Sequence, residues 1–277
     1  MSLRAALTGA MLLSGMAVPS RAQHNARDTI EVAVEDEADP WSRRDGTGYA
    51  NDMVRAAFAA VHVPVKLLVM PYARCKQLAI EGAVVACVSM SANFQHPDPV
   101  DFAPRPLFVF SSQLLESVDH PLGASRIDQL PRGTRVGVVL GYEYPREVYR
   151  LSRAGIVTLD YSGSETTNLR KLVAGRLDAA FINHNALKTL DYVMSSAGVA
   201  GRVRPLFSAG ELPGHIGFSR KHPDAGWALK NYREGADRID RDGSARRIAH
   251  SWAVRVSAAH AAELAAPPPA SPPATHP

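Results

Sequence analysis

The chain has 277 residues, of which 46% are hydrophobic and 21% are charged, a composition typical of globular proteins and sufficient for one large domain or two small ones. Its formal net charge is +4, and it falls to +2 (29 basic against 27 acidic residues) when the predicted signal peptide, which contains Arg4 and Arg21 and no acid, is left out. This near balance does not indicate a nucleic-acid or membrane-surface partner.

The first 22 residues predict a secretory signal peptide. The basic residue Arg4 precedes an apolar segment at residues 5–18, and the small residues Ser20 and Ala22 occupy the two positions that a signal peptidase recognises. We therefore expect cleavage after Ala22. The alternative is a membrane anchor, which needs about 20 apolar residues, and this segment is shorter.

Strands and helices alternate along the rest of the chain, which predicts an α/β architecture with mostly parallel sheets. The first predicted strand, at residues 28–34, is followed by an acidic cluster and then by Trp41. A Trp at this place either lines a ligand pocket or packs in the core, and the sequence leaves both open. Gly46 and Gly48 are spaced like the first glycines of a dinucleotide-binding loop, but Asn51 replaces the third glycine, so we expect no such cofactor.

The segment at residues 71–91 predicts a helix followed by a buried strand that ends in the polar residues Ser89 and Ser91. Ligands of open parallel sheets bind at the C-terminal ends of the strands. We therefore take Ser89 and Ser91 as candidate ligand contacts. Tyr72 and Arg74, at the N-terminal end of the helix, are further candidates, with a solvated surface position as the alternative for Arg74.

The same segment contains both cysteines of the chain, Cys75 on the predicted helix and Cys87 on the predicted strand. In an oxidising compartment we expect a disulfide between them. The alternative is two buried thiols that pack as small apolar residues. Neither their spacing nor any other motif predicts a metal site.

A second helix–glycine–strand unit at residues 169–183 repeats this pattern and has a polar exit at Asn183. Ser164 precedes its helix. Upstream, a predicted strand at residues 134–140 leads into Gly141-Tyr142-Glu143-Tyr144-Pro145, a turn into a helix whose free N–H groups can bind a polar ligand. Two similar units far apart in the chain predict two similar lobes that face each other.

The predicted second lobe is inserted into the first, so the chain crosses between the lobes near residues 110 and 210. We expect lobe 1 at residues 23–110 and 211–256, lobe 2 at 111–210, and separate strands around 203–207 and at 215–219. Residues 257–277 are rich in Ala and Pro, which alone cannot build a core, so we expect a disordered tail there.

Between Thr29 and Val254 the chain resembles the periplasmic type 2 solute-binding proteins of the polar-amino-acid-binding kind (solute-binding protein family 3). The resemblance rests on the order and spacing of short segments, namely residues 48–52, 89–91, 100–102, 135–141, 174–180, 216–221 and 242–243 before Trp252. It implies a two-lobed, hinged fold that closes on a small molecule in the periplasm. It further implies a monomer without a cofactor, commonly serving an inner-membrane ABC transporter.

Two positions depart from what the resemblance implies for an amino-acid binder. Such proteins place an Arg for the ligand carboxylate six residues before Phe102, where this chain has His96, and an Asp for the ammonium group where it has Asn183. An Asn brings no charge, and burying an ammonium without a counter-charge is costly. We therefore expect a solute other than a standard α-amino acid, with Arg74 as a substitute anion contact and Glu143 or Glu165 as a substitute cation contact.

The predicted function is solute binding without catalysis. The predicted ligand-binding residues are Trp41, Tyr72, Arg74, Ser89, Ser91, His96, Tyr142, Glu143, Ser164 and Asn183, and Tyr144 would add to an aromatic pocket. One alternative is a lobe pair that senses a ligand for a signalling partner. A further alternative is an enzyme, since the family also resembles a periplasmic cyclohexadienyl dehydratase. This alternative is less favoured. No spacing singles out an acid and a base from His96, His184 and Glu143, and the zinc-protease and serine-hydrolase motifs are absent.

Overall fold

The computed structural model describes residues 29–92 and 99–265. The predicted signal peptide, the candidate His96 and the last twelve residues of the predicted tail (266–277) lie outside the described residues.

Strands and helices alternate through the described residues, as the sequence predicts. The strands are β1 (Ile30–Glu35), β2 (Glu37–Ala38), β3 (Ser42–Arg43), β4 (Val65–Met70), β5 (Ala86–Met90), β6 (Val100–Phe102), β7 (Phe108–Ser117), β8 (Thr134–Val139), β9 (Val157–Ser162), β10 (Ala179–His184) and β11 (Val203–Ser219). The helices are α1 (Tyr49–Ala60), α2 (Tyr72–Glu81), α3 (Arg146–Arg153), α4 (Glu165–Val173), α5 (Leu190–Ser196), α6 (Ala225–Arg241) and α7 (Ser244–Ala265), with a short 3-10 helix at Ile127–Gln129.

The strands form two parallel-rich sheets that share the long strand β11. The strand order is β4-β1-β5-β11-β7-β10-β8-β9, with β6 also paired to β11. β1 pairs in parallel with β4 and β5, and β8 pairs in parallel with β9 and β10. We call the part built on β1, β4, β5 and β6 the first lobe, and the part built on β8, β9 and β10 the second lobe. The predicted two-lobed α/β class is confirmed.

Two antiparallel strands, β7 and β11, join the lobes. β11 pairs with β7 from Val203 to Gly214 and then with β5 and β6 through its last residues. The prediction of separate strands at 203–207 and 215–219 is therefore wrong. Pro205 and Gly210 lie where the β7–β11 register shifts, so bulges absorb residues that otherwise interrupt a strand. The predicted lobe boundaries stay a prediction.

Helices cover both faces of the first-lobe sheet, which explains why β1 is almost uniformly apolar. Val32 and Val34 belong to the cluster that contains Phe58 of α1, whereas Ala33 between them faces Cys75 of α2. α2 ends at Gly82, whose φ of 84° is left-handed, a conformation that glycine adopts without steric cost. The apolar run therefore accounts for a strand buried on both faces, and the glycine accounts for the end of α2.

The predicted disulfide is confirmed. Cys75 and Cys87 are bonded, with Cα atoms 5.5 Å apart, and the bond ties α2 to β5. Both residues are fully buried.

The last helix is longer than predicted. α7 continues to Ala265, so the prediction of disorder from residue 257 is wrong for residues 257–265. Alanine is the strongest helix former, and Val256 of α7 is buried in the second-lobe cluster that contains Leu169 and Ile182. Among the residues described, no helix has both the length and the apolar character to cross a membrane.

Candidate functional site

The candidate site lies between the lobes, where the carboxyl ends of parallel strands meet. We call it the inner cleft. It encloses a cavity of about 20 Å³ lined by Glu35, Trp41, Tyr72, Ser89, Phe108, Phe110, Tyr142, Glu143 and Asn183. Glu35 ends β1, Ser89 lies near the end of β5, and Asn183 lies near the end of β10. Six of the ten predicted ligand-binding residues therefore line one small space, which has room for roughly one water molecule.

Glu143, on the loop between β8 and α3, reaches across the cleft to α2 of the first lobe. The Tyr72 hydroxyl lies 3.0 Å and 3.3 Å from the two carboxylate oxygens of Glu143, and Lys76 Nζ lies 2.7 Å from Oε1. Burial raises the pKa of Glu143, and the charge and hydrogen bond of Lys76 act against that rise. This ion pair joins the lobes at the cleft.

A second bond across the cleft joins Tyr142 to Glu35. The Tyr142 hydroxyl donates to Glu35 Oε1 at 2.6 Å. Burial raises the pKa of Glu35 to about 8, although the Tyr142 hydrogen bond and the charge of Lys188 both act in the opposite direction. At neutral pH Glu35 is therefore mostly protonated, and it has an O–H to donate.

A buried ion pair stands behind the cleft in the second lobe. Lys188 Nζ lies 2.5 Å from Glu165 Oε2, and Glu165 Oε1 accepts the backbone N–H of Asn183 at 2.6 Å. Lys188 also lies 4.5 Å from the ring centroid of Trp41, which belongs to the first lobe. The pair thus fixes the end of β10 and contacts the aromatic wall of the cleft.

Some polar residues that line the cavity have hydrogen-bond partners for their side chains, and others do not. Asn183 Oδ1 accepts from the Ser112 hydroxyl at 2.8 Å. Trp41 Nε1 and Ser89 Oγ are buried without a hydrogen-bond partner among the described residues. Ser89 also has a φ of 68°, which is strained for a residue other than glycine. Buried polar groups of this kind are the natural contacts of a polar ligand.

Trp41 packs in the core and also lines the cavity. It is buried and stacks on Phe108 with ring centroids 4.3 Å apart, and it is one of the residues around the cavity. Its contact with a ligand stays a prediction. Tyr144, by contrast, is buried in the second-lobe core, where its hydroxyl accepts the Val139 N–H at 2.8 Å. Its predicted place in an aromatic pocket is therefore wrong.

Three further candidates lie outside the inner cleft. Arg74 is exposed and does not line the cavity, so its predicted cleft contact is not supported. The Ser91 hydroxyl donates to the carbonyl of Pro213 in β11 at 2.8 Å and belongs to the junction of the lobes. Ser164 caps α4 by accepting the Thr167 N–H. Arg74 faces away from the cleft because it lies two residues after Tyr72 on α2, and a helix turns each successive residue through about 100°.

Sequence analysis missed five residues of the site: Glu35, Lys76, Phe108, Phe110 and Lys188. The place of Glu35 directly after a parallel strand is a signal that could have identified it. The two lysines carry no comparable signal, because lysine is most often a solvated surface residue.

An outer chamber of about 470 Å³ opens beside the inner cleft. Its lining is highly charged and comes from both lobes, and the lining residues are Asp36, Glu37, Asp39, Arg43, Arg44, Ser164, Glu165, Thr166, Thr167, Arg170, Lys188, Tyr192, Val193 and Ser196. The Tyr192 hydroxyl donates to Asp39 across the lobes at 2.9 Å. Asp39 also pairs with Arg43 and Glu37 with Arg44. The described residues contain no group of three or more potential ligands placed to hold a metal ion.

No protein-family model matches the sequence, and no curated protein matches it. Solved structures do resemble it. An ancestral arginine-binding protein bound to arginine aligns with a TM-score of 0.68 and 18% identity over 82% of this chain and 99% of its own. A histidine kinase sensor domain with similarity to periplasmic binding proteins aligns with a TM-score of 0.69 and 16% identity over 81% of this chain and 96% of its own.

A third structure is an ancestral amino acid-binding protein described as a precursor of cyclohexadienyl dehydratase. It aligns with a TM-score of 0.62 and 17% identity over 82% of this chain and 95% of its own. The chain has the two-lobed fold of the periplasmic binding proteins. At these identities the likeness establishes the fold, and function depends on the residues of the site.

Proposed function

We propose that this protein is a periplasmic solute-binding protein whose lobes close on a small polar molecule other than a standard α-amino acid. The observation that carries the proposal is the convergence of residues from both lobes on the inner cleft. Two of these residues, Trp41 and Ser89, have a buried side-chain polar atom without a hydrogen-bond partner among the described residues. Domain closure around a ligand is the usual action of this fold. We further propose that the protein acts as a monomer and delivers the solute to an inner-membrane ABC permease.

The charges around the cleft support a solute other than an α-amino acid. The carboxylate of Glu143 is paired with the largely shielded Lys76 and that of Glu165 with the buried Lys188, and burial raises the pKa of Glu35 to about 8. An incoming ammonium group would therefore have to break an existing pair. No arginine is present among the described residues that line the inner cleft, so the bidentate fork that best binds an α-carboxylate is not available there.

A sensing role is the second candidate. The structural likeness to a histidine kinase sensor domain favours it, because that likeness has about the same TM-score as the arginine-binding protein. Closure of the lobes would then be detected by a signalling partner instead of a permease. Permease and ATPase genes next to the gene for this chain would favour transport, and a sensor kinase or cyclase gene would favour signalling.

A catalytic role is less well supported, despite the likeness to a dehydratase precursor. Glu35 and Glu143 both serve in bonds that join the lobes. His184 pairs with Ser111 of β7 and does not line the inner cleft. Burial lowers the pKa of His184, but a lowered pKa at a position outside the cleft does not make it a catalytic base. We therefore propose that the protein is not an enzyme.

The test is a thermal-shift screen of the mature chain, residues 23–277, against amino acids, organic acids, amines and aromatic metabolites. A solute at 100 times its Kd adds about 2.7 kcal/mol of stability, which for a chain of this size raises the Tm by roughly 5–10 °C. A shift with a solute other than an α-amino acid supports the proposal. A shift only with α-amino acids contradicts the proposed solute class, and no shift with any class contradicts solute binding.

The variant Asn183→Asp sharpens the screen. The new carboxylate can still accept from Ser112, and it supplies the negative charge that the wild-type side chain lacks. We expect the variant to gain affinity for solutes that carry an ammonium group. An unchanged solute profile in a folded variant would show that residue 183 does not contact the solute.

A further inference from the structure

We propose that Tyr72 and Lys76 form a carboxylate-binding socket on the first lobe, that Glu143 of the second lobe occupies this socket in the closed protein, and that the solute is an organic acid without an α-ammonium group whose carboxylate exchanges with Glu143. The inference rests on the proposed solute-binding function and adds to it the chemical class of the solute and a competitor built into the chain.

The geometry is that of a bound carboxylate. One oxygen of Glu143 contacts both the Tyr72 hydroxyl and Lys76 Nζ, and the other contacts the Tyr72 hydroxyl at 3.0 Å. The side chains are 6% exposed for Glu143 and 13% for Lys76, so the pair is largely shielded from water. Charge-assisted hydrogen bonds in such surroundings are the strong ones. A solute carboxylate in the same place would make the same bonds.

The socket belongs to a rigid element, and its occupant does not. Tyr72 and Lys76 lie one turn apart on α2, where residues at this spacing share a face. The disulfide of the adjacent Cys75 fastens this turn to β5. Glu143 instead lies on the loop that connects β8 to α3. When the lobes separate, the socket stays assembled on the first lobe and Glu143 leaves with the second.

The neighbouring charges select an organic acid rather than a zwitterion. A carboxylate that replaces Glu143 finds Lys76 and a hydroxyl donor. An ammonium group finds Glu165 already bound to Lys188 and to the Asn183 N–H. Burial also keeps Glu35 largely uncharged at neutral pH. The aromatic rings of Trp41, Phe108 and Phe110 line the same cavity, so an apolar body suits the rest of the solute.

The built-in competitor has a measurable effect. If the socket is free in about 10% of the molecules or fewer, as is usual for a minor conformation, the apparent affinity for a carboxylate is lowered by that fraction. Removal of the Glu143 side chain should therefore lower the Kd for a simple carboxylate by at least about 10-fold.

The experiment uses acetate as the probe and compares the wild type with Glu143→Ala. The Tm and the Kd are measured by thermal shift and calorimetry at constant ionic strength, with acetamide and methylammonium as probes of similar size that lack the negative charge. We expect acetate, and neither control, to raise the Tm of Glu143→Ala, with a Kd at least about tenfold lower than in the wild type. The added substitution Lys76→Met should abolish the response.

Glu143→Gln keeps the side-chain volume and serves if Glu143→Ala fails to fold, since the neutral amide should yield the socket to acetate more readily than the carboxylate does. Absence of an acetate response in the folded variants, or equal responses to acetamide, would overturn the socket. If the variants respond to acetate but only amino acids shift the Tm of the wild type in the screen, the proposal that the solute is an organic acid is overturned. The same response with no solute found for the wild type supports the socket and counts against the proposed function alone.

Discussion

The two lobes reach the cleft through matched units, α2–β5 and α4–β10, which are held in place by different chemistry. In the first lobe a disulfide fastens helix to strand, and the strand presents Ser89, whose buried hydroxyl has no partner among the described residues. In the second lobe the ion pair of Glu165 and Lys188 does the fastening, and it also fixes the backbone of Asn183.

The difference indicates which lobe has polar groups available to hydrogen-bond a solute. A covalent bond between two cysteines fixes the first unit without using any polar group of the cleft. The second unit is fixed by polar groups, so Asn183 is already hydrogen-bonded on both its backbone N–H and its side-chain oxygen. We therefore expect the first lobe to bind the solute first, and the second lobe to close over it.

The largest expected effect comes from breaking the second-lobe ion pair with Lys188→Met. The buried carboxylate of Glu165 loses its counter-charge, and such a loss costs about 3–5 kcal/mol. The free energy of unfolding from urea titration measures it. The matched control is Lys66→Met, which breaks the exposed pair with Glu31 and should cost less than about 1 kcal/mol. Equal losses in the two variants would refute the structural role of Lys188.

The variant Glu35→Gln tests how the buried acid of the first lobe affects stability, for comparison with Glu165 of the second lobe. The pKa of Glu35 is raised from 4.5 to about 8 in the folded protein, so between these values the folded state retains a proton that the unfolded state has released. Stability therefore falls as the pH rises through this window, by at most about 1.4 kcal/mol per unit. The variant removes this slope and should be more stable than the wild type by up to about 4 kcal/mol at pH 8.

The free energy of unfolding of both proteins, measured by urea titration at several pH values, checks this, and the difference between the two proteins isolates the contribution of Glu35. Glu165→Gln is the control in the second lobe. It leaves Lys188 without its buried partner and should destabilise the protein throughout. A parallel pH dependence of wild type and Glu35→Gln would contradict the raised pKa.

Replacement of both Cys75 and Cys87 by Ala tests the covalent fastening of the first lobe. The bond spans 12 residues, and the chain-entropy model assigns about 3 kcal/mol to a loop of this length. We expect the free energy of unfolding to fall by that amount, and the reduced wild type to behave like the double variant. A loss below about 1 kcal/mol would mean that packing already fixes α2 on β5.

The smallest expected effect is that of Ser89→Gly. Glycine relieves the left-handed backbone, so stability should rise by less than about 1 kcal/mol, while solute affinity falls because the hydroxyl is lost. His62→Gly is the control, because His62 has a similar φ of 57° on an exposed turn away from the cleft. His62→Gly should raise the stability by about as much as Ser89→Gly and leave the affinity for the solute unchanged. A loss of affinity in both variants would argue against a direct contact from Ser89.

The sequence by itself determined the local units and the class of fold. The apolar runs of β1, β5 and β10, the glycine that ends α2 and the cysteine pair are all features of neighbouring residues, and each predicted its element correctly. Polar residues at the ends of parallel strands also predicted Ser89 and Asn183 as part of the inner cleft. Such inferences succeed because strand period, helix ends and strand-end geometry depend on short stretches of chain.

Only the tertiary structure decided which charges meet. Tyr142 and Glu35 are 107 residues apart, and Lys76 and Glu143 are 67 apart, so no local pattern connects them. The same holds for β11, whose central residues form a strand because β7 supplies the hydrogen bonds, and for the second half of α7, where Val256 is buried against the second lobe. Burial and pairing of this kind arise from packing between distant segments, and packing decides whether a lysine is a surface residue or the counter-charge of a buried acid.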